Sequence, residues 1–308
     1  MNISIFITNW NGYKHGYLQE ALPSIVEASK NYTVGKYEII LVDDQSDDSS
    51  VEFVKNNFPQ VKIVIPEKNL GFQGASNFAV KYCQYEILIS LNNDIKLEKN
   101  VLDKIVRHFE DRDVFAVSTR VLLWDEKTYL AGKRTAKIEK GHFKLIDVGD
   151  SITDVSETIF ATGGAAAFRK SMYDELGGFD TIYYPLYWED VDLCYRALTH
   201  RWKVIYDPSC LMFHKHQATI KKMYDGEKIG IITARNSYVF FWKNITDLRF
   251  IIDHIFYTFI FHIRDVFRLQ FRFIIAWFMA LEKIPAIIKY RITSQKINQR
   301  DRDILNRL

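Results

Sequence analysis

The sequence predicts an α/β fold with a mostly parallel sheet flanked by helices. Nearly continuous apolar runs occupy residues 3–8, 38–42, 61–65 and 86–91, as expected of strands that are buried on both faces. Segments of helical character separate these runs, and another strand follows near residues 115–121. This alternation of strand and helix in the first 120 residues is typical of βαβ units, which produce parallel sheets.

Polar residues end three of the predicted strands. They are Thr8 and Asn9 after the first strand, Asp43 and Asp44 after the second, and Asn92, Asn93 and Asp94 after the fourth. The carboxyl ends of parallel strands meet at one edge of the sheet, where ligands bind in such folds. Mg²⁺ and Mn²⁺ bind through one or two carboxylates plus substrate phosphates, so Asp94 with Asn92 is a candidate metal and phosphate site.

An aspartate and two histidines could add to such a ligand site. Asp43 can accept the N–H of a uracil or thymine ring, or it can cap the turn after its strand. His214 could add an imidazole to the metal site, and His216 lies two residues beyond it. Each assignment has a structural alternative, because a single Asp or His more often serves the fold than a ligand.

The segment 187–196 places three carboxylates and an arginine beside aromatic residues. A helix that begins near Asp190 would direct Leu193 and Ala197 to one face and leave Glu189 pointing elsewhere. An acidic pair in this setting suits a general base that takes a proton from a hydroxyl group. The alternative is a helix start whose carboxylates interact with the helix dipole.

Composition narrows the class of protein. A net charge of +3 over 308 residues is too small to indicate nucleic-acid binding. The three cysteines are widely spaced, which predicts neither a disulfide framework nor a cysteine metal site and fits a reducing compartment. The first residues lack a basic segment and a cleavage site, so they predict a strand rather than a signal peptide. No glycine-rich loop follows the first strand, which disfavours a dehydrogenase or a nucleotidyltransferase.

Residues 246–308 differ from the rest of the chain, because they carry eleven Lys and Arg against six Asp and Glu. Their apolar runs are too short to cross a bilayer, which takes about 20 apolar residues. Arg264, Arg268 and Arg272 lie beside apolar residues at helical spacing, namely Phe267, Phe271, Ile274, Ile275 and Phe278. This pattern predicts amphipathic helices on an anionic membrane surface, or alternatively a face packed within the domain or in a homodimer.

Six motifs occur in the order found in one enzyme family. They are the segments 7–11 (ITNWN), 42–49 (VDDQSDDS), 69–77 (NLGFQGASN), 91–94 (LNND), 177–180 with 188–193 (GGFD and WEDVDL), and His214. With these motifs the chain resembles the inverting glycosyltransferases of family 2, and within them the bacterial rhamnosyltransferase-like members. The resemblance extends from residue 3 to about residue 242. Each motif alone is loose, but six in the same order are specific.

The resemblance implies a GT-A catalytic domain in residues 1–245, with a Rossmann-like nucleotide half at 1–120 and an acceptor half at 121–245. Residues 246–308 then form a C-terminal helical segment. The implied reaction moves a sugar from a UDP- or dTDP-sugar to a saccharide or lipid-linked saccharide, as in bacterial cell-surface polysaccharide assembly. We expect it to take place in the cytoplasm, at the inner face of the membrane.

The resemblance also implies roles for individual residues. Asp94 and His214 would hold Mn²⁺ or Mg²⁺ on the donor diphosphate. Asp190 would be the general base, with Glu189 as the second candidate. The nucleotide sugar would be held by Thr8 and Asp43 at the base, and elsewhere by Asn9, Asn11, Asn69, Gly71, Asn77, Asn92 and Asn93. The acceptor side would include Gly163, Gly164, Trp188 and Asp192.

One position departs from the family's pattern. The first Asp of the usual Asp-x-Asp segment is Asn92 here, which keeps an oxygen ligand but removes a charge. An inactive, membrane-associated binding module of the same fold is therefore the alternative hypothesis. The presence of Asp43, Asp94, Asp190 and His214 favours an active enzyme.

Overall fold

The computed structural model describes residues 1–215, 225–294 and 299–308. The strands are β1 Ile3–Asn9, β2 Tyr37–Asp43, β3 Lys62–Val64, β4 Ile87–Asn92, β5 Ile95–Leu97, β6 Val114–Leu123, β7 Tyr129–Ala131, β8 Arg134–Glu139, β9 His142–Asp147, β10 Ser156–Glu157, β11 Ala165–Arg169 and β12 Lys203–His214. The α-helices are α1 Tyr17–Lys30, α2 Ser50–Asn57, α3 Gly71–Val80, α4 Val101–Arg107, α5 Lys170–Glu175, α6 Glu189–Thr199, α7 Gly226–Asn244, α8 Leu248–Phe267, α9 Arg272–Leu281, α10 Ile284–Thr293 and α11 Asp301–Arg307.

Ten strands form one sheet with helices on both sides. Its order is β10, β12, β6, β11, β4, β1, β2 and β3, with β5 paired to β12 and β7 paired to β6. Strands β3, β2, β1 and β4 run parallel to one another, and β12 runs parallel to β6. This arrangement confirms the predicted α/β fold with a mostly parallel central sheet. Strands β8 and β9 form a separate hairpin.

Strand β11 joins the two halves of the sheet. It pairs antiparallel with β4 on one side and with β6 on the other, so that Ala166 lies opposite both Ser90 and Ser118. Its first three residues are alanines with almost no exposed surface. Because β11 pairs with both β4 and β6, the sheet is continuous across this central strand.

The sheet is buried on both faces, as the continuous apolar runs predicted. In β1, Ile5 belongs to a core formed with α1 and α4, whereas the next residue, Phe6, belongs to a core formed with α3, α6 and α7. Neither side chain has exposed surface. Successive side chains of a strand point to opposite faces, so one apolar strand supplies both cores.

The C-terminal segment packs on the acceptor half and shares its core. Ala276 and Ala280 of α9 and Ile304 of α11 belong to the same apolar core as α6 and α7. The continuous helical face predicted through Phe278 is interrupted, because the chain leaves α8 at Phe267 and begins α9 only at Arg272. Among the described residues, every helix is too short or too polar to cross a bilayer.

A buried ionic cluster fixes helix α6 to helix α7. The Asp192 carboxylate has no exposed surface and accepts hydrogen bonds from Lys243 Nζ at 2.8 and 2.9 Å and from Asn244 Nδ2 at 2.8 Å. It also accepts bonds from Arg196 Nε at 2.7 Å and from the Tyr183 hydroxyl at 2.8 Å. The pKa of Asp192 lies well below its usual range, because the charges of Lys243 and Arg196 outweigh the effect of burial.

We expect Lys243→Met to destabilise the fold by about 3 kcal/mol, because removing one partner of a buried ion pair leaves the other charge poorly compensated. The midpoint of urea unfolding measures this loss. Lys289→Met is the matched control, since Lys289 is exposed and its substitution should change the free energy of unfolding by less than about 0.5 kcal/mol. Equal midpoints for the two variants would contradict the structural role of Lys243.

Candidate active site

A cavity of about 670 Å³ lies at the carboxyl ends of β1 and β4. The nucleotide half supplies the ends of these two strands and the start of α3, and the acceptor half supplies the loops before β11 and α6. His214, at the end of β12, completes the wall beside Asp94. The polar residues that the sequence analysis assigned to the carboxyl ends of β1 and β4 therefore lie at one side of this cavity.

Amide side chains line the strand ends. The Asn93 amide donates to Asn9 Oδ1 at 2.8 Å, and the Asn9 amide donates to Asp43 Oδ1 at 2.7 Å. Thr8 Oγ1 lies 3.5 Å from Asn92 Oδ1. Thr8, Asn9, Asn92 and Asn93 all contribute to the cavity wall. The predicted donor-binding residues of β1 and β4 are thus brought together.

The two aspartates after β2 have different surroundings. Asp43 does not contribute to the cavity wall, because its carboxylate is turned inward to Asn9 and to the backbone N–H and hydroxyl of Ser46. Asp44 does contribute to the wall, and its carboxylate accepts the backbone N–H groups of Leu70 and Gly71, each at 2.8 Å. Burial raises the pKa of Asp44. The base-binding role of Asp43 stays a prediction, and Asp44 is the carboxylate that faces the cavity.

Two predicted donor-binding residues lie away from the cavity. Asn77 joins α3 to the acceptor half, where its amide donates to Phe179 O at 2.7 Å and its oxygen accepts Phe179 N–H. Asn11 accepts the backbone N–H of Asp47 at 2.9 Å. Neither Asn77 nor Asn11 contributes to the wall, so both act in this structure by holding the loops around the site.

Asn69 and Gly71 contribute to the cavity wall, and their binding of the donor stays a prediction. The Asn69 amide donates to Asp44 O at 2.7 Å. Gly71 has a φ of +66°, and a Cβ at this position would lie 2.7 Å from the Tyr184 ring. Only glycine satisfies both the backbone conformation and the close approach of the ring.

The predicted metal ligands are adjacent. Asp94 Oδ1 and His214 Nε2 are 3.1 Å apart on the cavity wall. This separation fits two ligands that share one cation at about 2.1 Å each, and substrate phosphates and water could occupy the remaining positions. Oxygen with imidazole nitrogen is a donor set that suits Mn²⁺. His216 lies outside the described residues.

A second group of potential ligands lies elsewhere in the described part of the chain. His108, Asp207 and Cys210 bring their ligand atoms within 4.8 Å of one another. His108 Nε2 is 2.6 Å from Asp207 Oδ2, and none of the three residues contributes to the cavity wall. This group therefore lies apart from the Asp94–His214 pair.

The two candidate bases occupy the first turn of α6. Asp190 Oδ2 accepts the backbone N–H of Gly163 at 3.3 Å, and Asp190 is a half-buried residue of the cavity wall. Glu189 is more buried and accepts the Gln73 amide at 3.1 Å. Burial and the charge of Asp190 raise the pKa of Glu189 above its usual range, and burial also raises the pKa of Asp190. The accessible carboxylate of the pair is Asp190.

The predicted acceptor-side residues divide into two groups. Gly163, Gly164 and Trp188 contribute to the cavity wall, and a Cβ on Gly164 would lie 2.4 Å from the Asn92 side chain. Glycine is therefore required where this loop crosses the end of β4. Asp192 lies behind the wall in the ionic cluster with Lys243, which gives it a structural rather than an acceptor-contacting position.

The cavity wall contains residues that the motifs did not identify. Arg134 of β8 is the only Lys or Arg among the described residues of the wall, and it forms an ion pair of 2.8 Å with Asp147. Trp10 and Tyr187 also line the wall. Trp10 lies inside the first motif and could have been named from it. Arg134 gave no signal, because it lies in an irregular segment of the sequence.

Comparison with known proteins agrees with this geometry. The model of the family described as "Glycosyl transferase family 2" matches residues 4–177, more than half of the chain. The O-antigen chain rhamnosyltransferase RfbN of Salmonella typhimurium (strain LT2) is 24% identical over 231 residues, which cover 73% of this chain and 69% of RfbN.

Two solved structures share the fold at 16% identity. GalNAc-T7 with UDP, GalNAc and Mn²⁺ superposes with a TM-score of 0.62 over 80% of this chain, which spans only 48% of the GalNAc-T7 chain. S. aureus TarS 1–349 in complex with UDP-GlcNAc superposes with a TM-score of 0.59 over 94% of this chain and 84% of the TarS chain. The chain therefore belongs to glycosyl transferase family 2 and is a glycosyltransferase with the GT-A fold.

Proposed function

We propose that this chain transfers a sugar, with inversion, from a UDP- or dTDP-sugar to a hydroxyl group of a saccharide or lipid-linked saccharide. The observation that supports this most directly is the placement of one accessible carboxylate, Asp190, in the same cavity as the Asp94–His214 pair. A base and a diphosphate site in one cavity are the two elements that such a transfer requires.

The proposed chemistry uses the carboxylate of Asp190. Asp190 takes the proton of the acceptor hydroxyl, and the acceptor oxygen forms a bond to the anomeric carbon. The bond from this carbon to the donor diphosphate breaks, and the nucleoside diphosphate leaves with the electron pair. A cation held by Asp94 and His214 would stabilise the leaving diphosphate by its charge. Asn92 is neutral where the family usually has an Asp, so less negative charge faces the diphosphate than in a site with Asp at this position.

We expect Asp190→Asn to lower turnover by about 10²- to 10⁴-fold, because an amide cannot accept the proton. The assay follows release of nucleoside diphosphate from UDP-, dTDP- and GDP-sugars with Mn²⁺ and aryl glycoside acceptors. Because burial raises the pKa of Asp190, wild-type kcat/KM should fall on acidification at a higher pH than the ordinary Asp value of about 4.

Two variants control this experiment. Asp154→Asn makes the same chemical change at an exposed position and should leave turnover unchanged. Glu189→Gln should retain more activity than Asp190→Asn. Full turnover by Asp190→Asn would exclude Asp190 as the base, and a folded wild-type protein that turns over none of these donors would exclude the proposed reaction.

Metal dependence gives a separate test. We expect UDP or dTDP with Mn²⁺ to raise the Tm of the wild-type protein, because a ligand that binds only the folded state stabilises it. EDTA should abolish most of this shift, and Asp94→Asn should reduce it to the level seen with EDTA. The Asp154→Asn variant should show the wild-type shift. An undiminished shift in Asp94→Asn would exclude Asp94 as a ligand.

We further propose that the protein acts at the cytoplasmic face of a membrane and takes an acceptor of cell-surface polysaccharide. The relative RfbN, an O-antigen chain rhamnosyltransferase, supports this acceptor class. Helix α8 exposes nine large apolar residues, namely Leu248, Ile252, Ile255, Phe256, Phe259, Ile260, Ile263, Val266 and Phe267. Arg249, Arg268 and Arg272 are exposed near its ends. An apolar face bordered by cations fits an anionic bilayer.

Vesicle binding tests the membrane proposal. We expect the double substitution Phe256→Glu with Phe259→Glu to weaken binding to vesicles containing phosphatidylglycerol by about tenfold or more, because two aromatic contacts are lost. Val155→Glu is the control, since it places a carboxylate on an exposed apolar residue elsewhere. Co-sedimentation measures the bound fraction. A homodimer is the alternative use of this face, and it would appear as a dimer in sedimentation without any vesicle binding.

A further inference from the structure

The segment that leads into the candidate base has an unusual backbone. Tyr187 and Trp188, directly before Glu189 and Asp190, have φ values of +63° and +79°. Non-glycine residues rarely adopt this left-handed region and persist there only where their surroundings hold them. We call residues 183–188 the entry turn. Residues 184–188 of it line the cavity, so the turn sets both the wall and the start of α6.

One side chain of α7 binds the entry turn from behind. The Asn236 amide nitrogen lies 2.8 Å from Tyr183 O, 2.8 Å from Leu186 O and 3.0 Å from Tyr187 O. Asn236 has no exposed surface. These three carbonyls come from one turn with irregular backbone, and they share the two N–H groups of a single buried amide.

Arg235 fixes the orientation of this amide. Its Nε and Nη2 donate to Asn236 Oδ1 at 2.9 and 2.7 Å, and Nη2 also donates to Tyr184 O at 2.6 Å. The oxygen of Asn236 thus faces a guanidinium group, and its nitrogen must face the carbonyls. Arg235 and Asn236 together contact four of the six residues of the entry turn.

We propose that Asn236, oriented by Arg235, is a positioning residue for catalysis that holds the entry turn and thereby places Asp190 against Gly163. This inference rests on the proposed function for its kinetic consequence. Neither Arg235 nor Asn236 lines the cavity, so they act through Asp190 and not on the substrate. The bond from Gly163 N–H lowers the pKa of Asp190, and loosening the turn weakens that bond.

Asn236→Ala tests this inference, with the neighbouring Ser237→Ala as the control. Ser237 donates within its own helix, to Ala234 O at 2.7 Å, and does not hold the turn. Hydrogen exchange of the segment 184–190 should be at least tenfold faster in Asn236→Ala than in wild type and unchanged in Ser237→Ala. Turnover should fall at least tenfold, the acid limb of kcat/KM should move to higher pH, and the Tm shift with UDP and Mn²⁺ should persist.

Each result decides between positioning and simple loss of fold. Unchanged exchange and turnover in a folded Asn236→Ala protein would overturn the inference, and so would faster exchange with an unmoved pH limb and unchanged kcat. If Asn236→Ala does not fold, the pair Arg235→Met and Arg235→Lys replaces it. The methionine variant should show the same changes, and lysine should restore at least part of the loss. Exchange is measured without a donor, so a wild-type protein without transferase activity would disprove the proposed reaction separately.

Discussion

The buried carboxylate of Asp192 is the interaction on which the geometry of the active site depends. Burying a charge is costly unless it is paired and fully hydrogen-bonded, and here Tyr183, Arg196, Lys243 and Asn244 supply the donors. These donors come from the entry turn, from α6 itself and from the end of α7. Because these donors converge on Asp192, they tie the first turn of α6, which carries Asp190, to the end of α7.

The C-terminal segment extends the same framework. Asp301 of α11 is fully buried and accepts the Tyr195 hydroxyl of α6 at 2.5 Å and the backbone N–H groups of Thr246 and Asp247, each at 2.7 Å. The inner faces of α9 to α11 thus close the core behind the acceptor half. These contacts give the C-terminal segment a structural role, while the outer face of α8 and apolar residues of α9 and α10 such as Phe278 and Ile288 stay exposed.

The nucleotide half could be predicted because its signals are local. Strands buried on both faces appear as continuous apolar runs, and polar residues mark their ends. The choice between Asp43 and Asp44 was not local, since adjacent residues point to opposite sides and the sequence does not show which side holds the ligand. Asn77 belongs to the motif at residues 69–77, which suggested donor binding. Its side chain instead forms a hydrogen bond to Phe179, which is distant in the chain.

The acceptor half could be predicted less well, because its partners are backbone atoms or distant residues. Strand β12 contains Asp207, Pro208 and a register shift, which obscure the alternation typical of strands. In the sequence, Asn236 resembles any polar residue within a helix. Its partners are backbone carbonyls, which every residue type has, so the residues of the entry turn do not reveal the contact. Such contacts become visible only after the chain is folded.

The insertion of β11 between β4 and β6 has a mechanical consequence. Rotating the two sides of the sheet, β3–β2–β1–β4 and β6–β12–β10, as separate rigid bodies would shear the hydrogen bonds on both sides of this strand. The enzyme therefore cannot open and close around a hinge in the way that two-lobed enzymes do, and access for both substrates must depend on the loops above the sheet. A fragment that ended after β4 would lack β11, and the unpaired edge of β4 would then be prone to aggregation.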